Sequence, residues 1–244
     1  MNDTQKMKLF GPLLLKLENQ FLKHSQVGST PFFENSLFPW VSILEQNIVI
    51  MQQEMSVILA RLNDLPNFQD ISLEQKILHS DFKWKVFPFF AYGVHNQDLE
   101  DECPNTMSII KKIPGIKTAM YSILLPHIHI PAHRGPYRGL LRLHIPLKIP
   151  ANYQNCKIEV NNQIRCWEGN KCLIFDDGFI HQVWNNTEEI RVVLFIDFLR
   201  PLGFPWHQVN NLVIKCFSNT SFIQESSKNA DKWYKEKWSG GRQN

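Results

Sequence analysis

The sequence predicts a mainly β protein with helices, in which a jelly roll or barrel is supported by an N-terminal helical region. Three observations predict this class. The first hundred residues carry apolar side chains at helical spacing, whereas from Thr118 onward the apolar period becomes that of strands. Tight turns then separate short segments as far as residue 198. Such a series is typical of a jelly roll rather than of a parallel α/β sheet.

Composition and charge narrow the class of function. The chain has 244 residues, 43% hydrophobic and 12% aromatic, which is enough for a large domain with a lined pocket. Its net charge of +3, without a basic stripe in the middle of the chain, argues against nucleic acid as a partner. The five cysteines form no CxxC pair, so we expect reduced thiols and a cytoplasmic protein. No apolar run approaches the length of a transmembrane segment, and peripheral contact with the inner face of a membrane is the alternative.

Two helices are predicted in the first half of the chain. Apolar positions from Val41 recur every three or four residues and predict an amphipathic helix that ends before Pro66. Residues 104–113 have the pattern of a shorter helix, with a proline at its start. We therefore assign residues 1–80 to an N-terminal helical region that packs on the barrel.

The strands follow. Alternation of Phe82, Trp84 and Val86 predicts a strand that leads into a turn at residues 87–90. Further strands are predicted at residues 118–125, 127–131, 139–148, 156–160, 163–167, 171–176, 180–184 and 190–198. Asn161-Asn162 and residues 168–170 are each expected to form a hairpin turn. These limits define a β domain at residues 81–202 and a C-terminal extension at residues 203–244.

The end of the C-terminal extension mixes lysines with aromatic residues. From Ser226 onward the lysines enclose Trp233, Tyr234 and Trp238. This pattern favours a solvated, frayed helix. Contact with an anionic membrane surface is the alternative.

Three polar side chains stand out on the predicted strands. Arg142 and His144 share one face of a strand whose other face is aliphatic. They point into the barrel if the aliphatic face packs under the helices, but the same alternation fits an outward, solvated face. Arg191 opens an apolar strand. It would either pair with a neighbouring acid such as Glu188 or Glu189, or hold a carboxylate bidentately.

Two histidines are candidate metal ligands. His133 follows a strand break at Pro131 and so is expected on a turn, while His181 follows the predicted turn at residues 176–179. Two imidazoles this far apart in sequence bind one metal only if strands bring them together. Trp184 would then form a wall of the site.

Other metal arrangements are weaker. His127 and His129 share a strand face and form a rival set with His133, but no turn positions these first two around a common ion. A zinc hydrolase is disfavoured because no glutamate base neighbours His133 or His181 in a known arrangement.

Six segments occur in the order and at the separations of a known family. They are Tyr121-Ser122-Ile123-Leu124, His133-Arg134-Gly135-Pro136-Tyr137, Leu141-Arg142-Leu143-His144, Trp167-Glu168-Gly169, Phe175 through His181, and Arg191 through Pro201. Over roughly residues 80–202 the chain resembles the aspartyl/asparaginyl β-hydroxylase family of iron(II)- and 2-oxoglutarate-dependent oxygenases. The second segment is more similar to bacterial members, including lipid A acyl-chain hydroxylases, than to animal protein hydroxylases. The resemblance implies a double-stranded β-helix, a cupin-like fold, with supporting helices.

The resemblance also implies site roles. Iron(II) would be held by His133 and His181, and the distal carboxylate of 2-oxoglutarate by Arg191 with help from Ser122. Two further residues would lie beside the co-substrate near the metal, namely Arg142 and His144.

The reaction implied is hydroxylation of an unactivated C–H bond by O2, coupled to decarboxylation of 2-oxoglutarate to succinate. Most such oxygenases add a carboxylate ligand two residues after the first histidine. Here that position is Gly135, in agreement with the family, and a water or an extra ligand would fill the vacancy. The substrate expected first is an aspartyl or asparaginyl side chain, in a peptide or amino acid. A lipid A acyl chain is the alternative, and a non-catalytic cupin-like binding module is the alternative from another class.

Overall fold

The computed structural model describes residues 3–72 and 83–242, in which helices pack around two antiparallel sheets. The helices are α1 (Asp3–Lys23), α2 (Val41–Gln46), α3 (Ile48–Leu59), α4 (Phe68–Ile71), α5 (Gln97–Glu100), α6 (Pro104–Ile110), α7 (Trp206–Ser218) and α8 (Ser221–Trp233), followed by a π-helical turn at Tyr234–Trp238. The strands are β1 (Phe32–Phe33), β2 (Trp84–Ala91), β3 (Val94–His95), β4 (Ile116–Leu124), β5 (Ile128–His133), β6 (Leu140–Lys148), β7 (Cys156–Val160), β8 (Gln163–Cys166), β9 (Leu173–Phe175), β10 (His181–Asn185) and β11 (Arg191–Leu199).

The order of the strands defines the architecture. The larger sheet has the order β1-β9-β6-β11-β4-β2-β3, and the smaller sheet has the order β5-β10-β7-β8. From β4 to β11 the chain therefore passes repeatedly from one sheet to the other. This is the jelly-roll arrangement of a double-stranded β-helix, and it confirms the predicted fold class.

The larger sheet has one aliphatic face and one polar face. On β6, Leu141, Leu143 and Ile145 are fully buried in the core that the sheet shares with α3. The intervening Arg142 and His144 must then point to the opposite face, since successive side chains of a strand alternate. Packing under the helices thus decides between the inward and solvated orientations, in favour of the inward one.

The long predicted helix is two helices. The chain forms α2 and α3, which meet at Asn47, a residue outside the helical region with φ −109° and ψ 11°. Its side-chain amide donates to the Ile43 carbonyl over 2.7 Å. An asparagine side chain that takes over a carbonyl of the last turn competes with the helical backbone, which explains the break.

The turn predicted at residues 87–90 is wrong, because these residues continue β2. Pro88 lies within the strand, and the pairing of β2 with β4 shifts register between Pro88 and Phe90. A proline has no N–H to donate and is tolerated where the ladder is interrupted in this way. Phe82, the first residue of the predicted alternation, lies outside the described residues.

Only one of the two predicted hairpins forms. Asn161 and Asn162 have φ of 48° and 63° and join the paired strands β7 and β8, as predicted. Residues 168–170 do form a turn, but it leads from β8 in the smaller sheet to β9 in the larger one. A turn signal marks where the chain reverses, not which strand it pairs with next.

The N-terminal and C-terminal regions both pack on the β domain. Phe32 and Phe33 pair with β9 and so extend the larger sheet into the region predicted to be helical. At the other end, Trp233 and Trp238 are buried against Phe87 of β2, with ring centroids 5.8 and 5.2 Å away. The tail is therefore not a frayed helix. Among the described helices, none is long and apolar enough to cross a membrane.

Candidate active site

The two histidines of the predicted metal pair lie side by side. His133 and His181 are register partners on β5 and β10, with ring centroids 4.1 Å apart. The Nδ1 atom of each ring lies within hydrogen-bond distance of a backbone carbonyl, 2.8 Å for His133 to Pro131 and 3.0 Å for His181 to Phe179. Because a carbonyl only accepts, each Nδ1 carries the proton. Each Nε2 then keeps its lone pair for a metal.

Electrostatics keep both rings neutral. Burial lowers the pKa of His181 to about 3 and also lowers the pKa of His133. Neutral imidazoles are the form that binds metals. Within the part of the chain that the structure describes, no group of three or more His, Cys, Asp or Glu is placed to hold a metal ion. In this part of the chain, two neutral imidazoles rather than a set of three metal-binding side chains thus lie together.

The position of His133 differs from the prediction. It is not on a turn, since β5 continues through Pro131 and ends at His133 itself. The strand lies at an edge of the smaller sheet, where a proline costs no ladder hydrogen bond on its free side. An edge strand can thus carry the histidine directly to its partner on β10.

The rival histidines and Trp184 face away from this pair. His129 stacks on Trp184 with ring centroids 5.0 Å apart, and both lie on the face opposite to His181. His127 lies near Glu188, with Nε2 and Oε2 3.0 Å apart. The predicted wall formed by Trp184 is therefore wrong: three residues after His181 on a strand is the opposite face.

A carboxylate fills the space beside Gly135. A Cβ built on Gly135 would overlap the side chain of Asp177. The Gly135 N–H donates to the Asp177 carbonyl over 2.8 Å, which holds the two backbones together. Burial raises the pKa of Asp177 to about 7, although the neighbouring Arg142 opposes the shift. The position where a triad would place its carboxylate is thus closed by another residue.

Arg142 is bound by two acids. Its Nη2 lies 2.8 Å from Asp177, and its Nε donates to Asp197 over 2.8 Å. Asp197 and Arg142 are register partners on β11 and β6, so the pair is built into the sheet. The guanidinium is therefore already neutralised, and its predicted place beside the co-substrate stays a prediction.

Arg191 is the contrasting arginine, buried without a counter-charge. Its side chain is 2% exposed, and its Nε has no hydrogen-bond partner. Its Nη1 donates to the Ser122 carbonyl at 3.4 Å. The neighbouring acids are engaged elsewhere, since Glu188 lies against His127 and Glu189 accepts from the Ala151 N–H. Among the described carboxylates none pairs with this guanidinium, and burial lowers its pKa to about 10, which leaves it charged at neutral pH.

Aromatic rings connect this arginine to the histidine pair. The Arg191 guanidinium lies 4.6 Å from the ring centroid of Trp167, whose Nε1–H donates to Nδ1 of His144 over 3.2 Å. Phe175 lies between His144 and His181, with ring centroids 5.0 and 6.1 Å away. The Nε2 of His144 is buried and has no partner. A guanidinium without a counter-charge, an unsatisfied imidazole and the histidine pair thus line one interior.

Ser122 also lies in this interior. Its hydroxyl accepts from the Trp84 indole N–H over 3.0 Å, and its carbonyl accepts from Arg191. The structure thus brings together, from the two sheets, the six residues predicted to bind iron and 2-oxoglutarate, whereas Trp184 faces away. Their roles toward iron and 2-oxoglutarate stay predictions.

A second group of charges, missed in the sequence, holds the loops around the site. Asp176 is fully buried and pairs with Arg200 at 2.6 Å and with Arg138 at 3.0 Å. On the other side, Glu18 of α1 binds the Arg134 side chain at 2.7 Å and accepts from the Arg138 N–H. These contacts fix the chain before His181 and after His133. Neither Asp176 nor Glu18 lies in a local pattern that predicts such a contact, because their arginine partners are far away in the sequence.

The sequence of this chain is similar to a known protein family and to several characterised proteins. Residues 45–201 match the family described as aspartyl/asparaginyl beta-hydroxylase. The chain belongs to this family. Its members hydroxylate their substrates, so the protein is a hydroxylase by family.

Family relatives differ in their substrates. The chain is 39% identical to the ornithine lipid ester-linked acyl 2-hydroxylase of Rhizobium tropici, over 94% of this chain and 82% of that protein. It is 31% identical to the human aspartyl/asparaginyl beta-hydroxylase, over 66% of this chain and 21% of that protein. It is also 28% identical to aspartate beta-hydroxylase domain-containing protein 2 of Xenopus tropicalis, over 66% of this chain and 44% of that protein. The first of these matches covers 94% of the chain, whereas each of the other two covers 66%.

Proposed function

We propose that this protein is an iron(II)- and 2-oxoglutarate-dependent dioxygenase that hydroxylates the acyl chain of a membrane lipid. One observation supports the co-substrate above all others: a fully buried, charged Arg191 without an acid to neutralise it. Burial of an unpaired charge costs several kcal/mol, so a dicarboxylate that binds there would relieve a real penalty.

The histidine pair suits iron(II). His133 and His181 would bind it through Nε2, because both Nδ1 atoms are committed to backbone carbonyls. When bound, iron and 2-oxoglutarate supply the oxidative decarboxylation that activates O2 for insertion of one oxygen atom into a C–H bond. With His133 and His181 as its ligands among the described residues, iron would be left accessible to the co-substrate and O2.

The remaining residues of the site would orient the co-substrate and shield it from water. Arg191 would hold the distal carboxylate of 2-oxoglutarate, with the Trp167 indole supporting the guanidinium from one face. The free Nε2–H of His144 would donate to an oxygen of the same molecule. Phe175, which is buried between His144 and His181, excludes water from the space between them. Asp177 closes the position next to Gly135 and would accept a hydrogen bond from a water in the third ligand position.

The length of the lipid-hydroxylase match supports a lipid substrate. A shared β domain accounts for a shared reaction, whereas substrate choice depends on the elements around it. The relative named for an ornithine lipid matches 94% of this chain, which is more than the β domain alone. By this comparison an ester-linked acyl chain, attacked at carbon 2, is favoured over the aspartyl or asparaginyl side chain expected first. The peptide substrate becomes the second candidate, and the human relative supports it over 66% of the chain.

The experiment tests binding of the co-substrate first and the identity of the substrate second. Anaerobic titration with iron(II) and 2-oxoglutarate is expected to give the visible charge-transfer band of an iron chelate. Oxygen is then added in the presence of an ornithine lipid, a lipid A or an aspartate-containing peptide. Formation of succinate with the gain of one oxygen atom in the lipid supports the proposal, and the same gain in the peptide alone favours the second candidate. Absence of the band, with the protein folded, would favour a non-catalytic binding module.

A further inference from the structure

From the exposed side chains of α1 and α7 we infer a membrane-docking surface, and we propose that it binds an anionic phospholipid bilayer. The surface consists of the outward sides of the two helices and the turn before α7. Its apolar members are Leu13, Leu15, Phe204 and Leu212, and its basic members are Lys16, Lys23 and Lys215.

Large apolar side chains are exposed on both helices and on the turn before α7. Leu13 and Leu15 of α1 are each 53% exposed, Leu212 of α7 is 62% exposed and Phe204 is 78% exposed. The inner sides of the same helices pack into one cluster, so these outer residues are surplus to the fold. Large exposed apolar side chains without an internal partner are typical of interaction sites.

The described side chains of α1 and α7 that are both charged and exposed are basic, which favours an anionic partner. Among the described side chains of α1 and α7, the exposed ionised groups are Lys16, Lys23 and Lys215, and the one carboxylate, Glu18, is 3% exposed and paired with Arg134. Helices that expose leucine beside lysine and no acid are typical of binding at the interface of an anionic membrane.

A second apolar surface on the molecule lacks this charge pattern. Val49 and Val57 of α3 are 62% and 68% exposed. However, α3 contains no basic residue, and its one acid, Glu54, binds Asn105 and Thr106 beside it. An anionic bilayer would not attract this face, which makes it a matched control.

The docking surface is mechanically joined to the active site. Glu18 of α1 binds the Arg134 side chain and the Arg138 N–H, directly after His133. Asn210 of α7 donates to the Gly139 carbonyl over 2.7 Å and accepts from the Tyr137 hydroxyl over 2.6 Å. Both helices therefore clamp the one loop that connects the histidine on β5 to β6. A bilayer bound to their outward sides would therefore be separated from this loop by one layer of helix.

The position of the reacting carbon fits such a surface. Carbon 2 of an ester-linked chain is adjacent to the carbonyl, which lies at the boundary between headgroups and hydrocarbon. An enzyme that attacks it needs to be held against the membrane but not to span it. This benefit rests on the proposed lipid substrate, whereas bilayer binding itself follows from the surface alone.

Binding is tested with the full chain, without turnover. Partition onto sedimented vesicles of phosphatidylglycerol and phosphatidylethanolamine is compared with partition onto phosphatidylcholine. We expect binding to the anionic vesicles that weakens with salt. The double variant Leu13→Gln, Leu212→Gln is expected to reduce the partition coefficient roughly tenfold or more. The double variant Lys16→Gln, Lys215→Gln is expected to reduce it by about tenfold on anionic vesicles only.

Exposed valines of α3 provide the control for the loss of apolar surface. The variant Val49→Gln, Val57→Gln removes comparable apolar area, and it should bind as the native chain does. Circular dichroism establishes that all three variants are folded. Equal partition of all variants, or no partition of the native chain, overturns the proposal. So does a leucine variant that only abolishes self-association in lipid-free sedimentation, because the occupant is then a second copy.

The docking proposal and the proposed function fail in distinguishable ways. If vesicles bind but no lipid gains oxygen, only the substrate assignment is lost. If the leucine variant hydroxylates detergent-dispersed lipid normally but loses activity on lipid in vesicles, both proposals are supported.

Discussion

The indole of Trp167 determines which nitrogen of His144 carries a proton. Its Nε1–H donates to Nδ1 of His144 over 3.2 Å, and an indole nitrogen can only donate. The proton of the neutral ring must then be on Nε2, which is buried, without a partner, and directed into the site. The same indole ring lies 4.6 Å from the Arg191 guanidinium. One side chain thus contacts both of the groups that the proposed function assigns to the co-substrate.

Substitution Trp167→Phe tests this double role. Phenylalanine keeps an aromatic face for Arg191 but leaves the His144 Nδ1 without its donor. We expect the KM for 2-oxoglutarate to rise about tenfold, from the loss of one buried hydrogen bond. Steady-state kinetics with varied 2-oxoglutarate measure the effect. An unchanged KM together with an unchanged melting temperature would show that the hydrogen bond does not orient His144 for binding.

Substitution Arg191→Ala tests the carboxylate-binding role. Loss of a charged, bidentate contact is worth about 1.5–3 kcal/mol, so the concentration of 2-oxoglutarate required should rise roughly ten- to a hundredfold. Titration of the anaerobic iron complex measures this without turnover. Arg165→Ala, at an exposed arginine of β8, is the control and should leave the titration unchanged. If Arg191→Ala binds normally, the role passes to Arg142.

Substitution of either interior histidine tests the metal site. His181→Ala and His133→Ala should each abolish iron binding and turnover, because a pair cannot lose one of its two protein ligands. His129→Ala removes a histidine of the same sheet that faces outward and stacks on Trp184. This variant should retain both iron binding and turnover. Bound iron is measured after equilibrium dialysis, with thermal unfolding as the check on the fold. Iron retained by His181→Ala, or lost from His129→Ala, would reverse the assignment.

Substitution Gly135→Ala tests the close contact with Asp177. The added Cβ would overlap the carboxylate, and overpacking of this kind costs about 1–3 kcal/mol. We expect a melting temperature lower by roughly 2–4 °C per kcal/mol, measured by calorimetry. Gly169→Ala is the matched control, since a Cβ there meets nothing within 4 Å. For the same reason Gly135→Asp should not create a working triad, and high activity in that variant would contradict the packing.

Substitution Trp238→Ala tests the packing of the C-terminal tail. Trp238 is 2% exposed, packs on Phe87 and lies under the Arg61 guanidinium. Its loss should lower the free energy of unfolding by about 3–5 kcal/mol, because a large cavity is left. Urea denaturation gives the value, with Lys237→Ala at the exposed neighbouring position as the control. A change under about 1 kcal/mol would mean that the tail is loosely held.

Much of the β domain follows from local pattern. The predicted strand at residues 139–148 corresponds to Leu140–Lys148, and that at 190–198 to Arg191–Leu199. Alternation is a local property, which the side chains of a strand reveal without knowledge of their partners. Local pattern failed where a partner decides the outcome. Residues 87–90 have the composition of a turn, yet pairing with β4 keeps them extended.

The tail shows the same limit. Lysines interleaved with tryptophans predict an exposed helix, but whether Trp233 and Trp238 find a cavity depends on the shape left by β2 and the N-terminal helices. The tail was the segment in which membrane contact was considered from the sequence, but its tryptophans are buried. Exposed leucines are found instead on α1 and α7. Burial is a property of the assembled chain, and composition alone cannot assign it.

For the site, the residue types and their order along the chain can be read from the sequence: Ser122, His133, Arg142, His144, His181 and Arg191. The sequence also determined the missing carboxylate at Gly135 and, by resemblance, the family. Only the tertiary structure decided that His133 and His181 are neighbours, that Arg142 is neutralised by two acids, and that Arg191 is not. The physical reason is that pairing across sheets and burial of charge depend on contacts between residues far apart in the chain, for which one sequence carries no local signal.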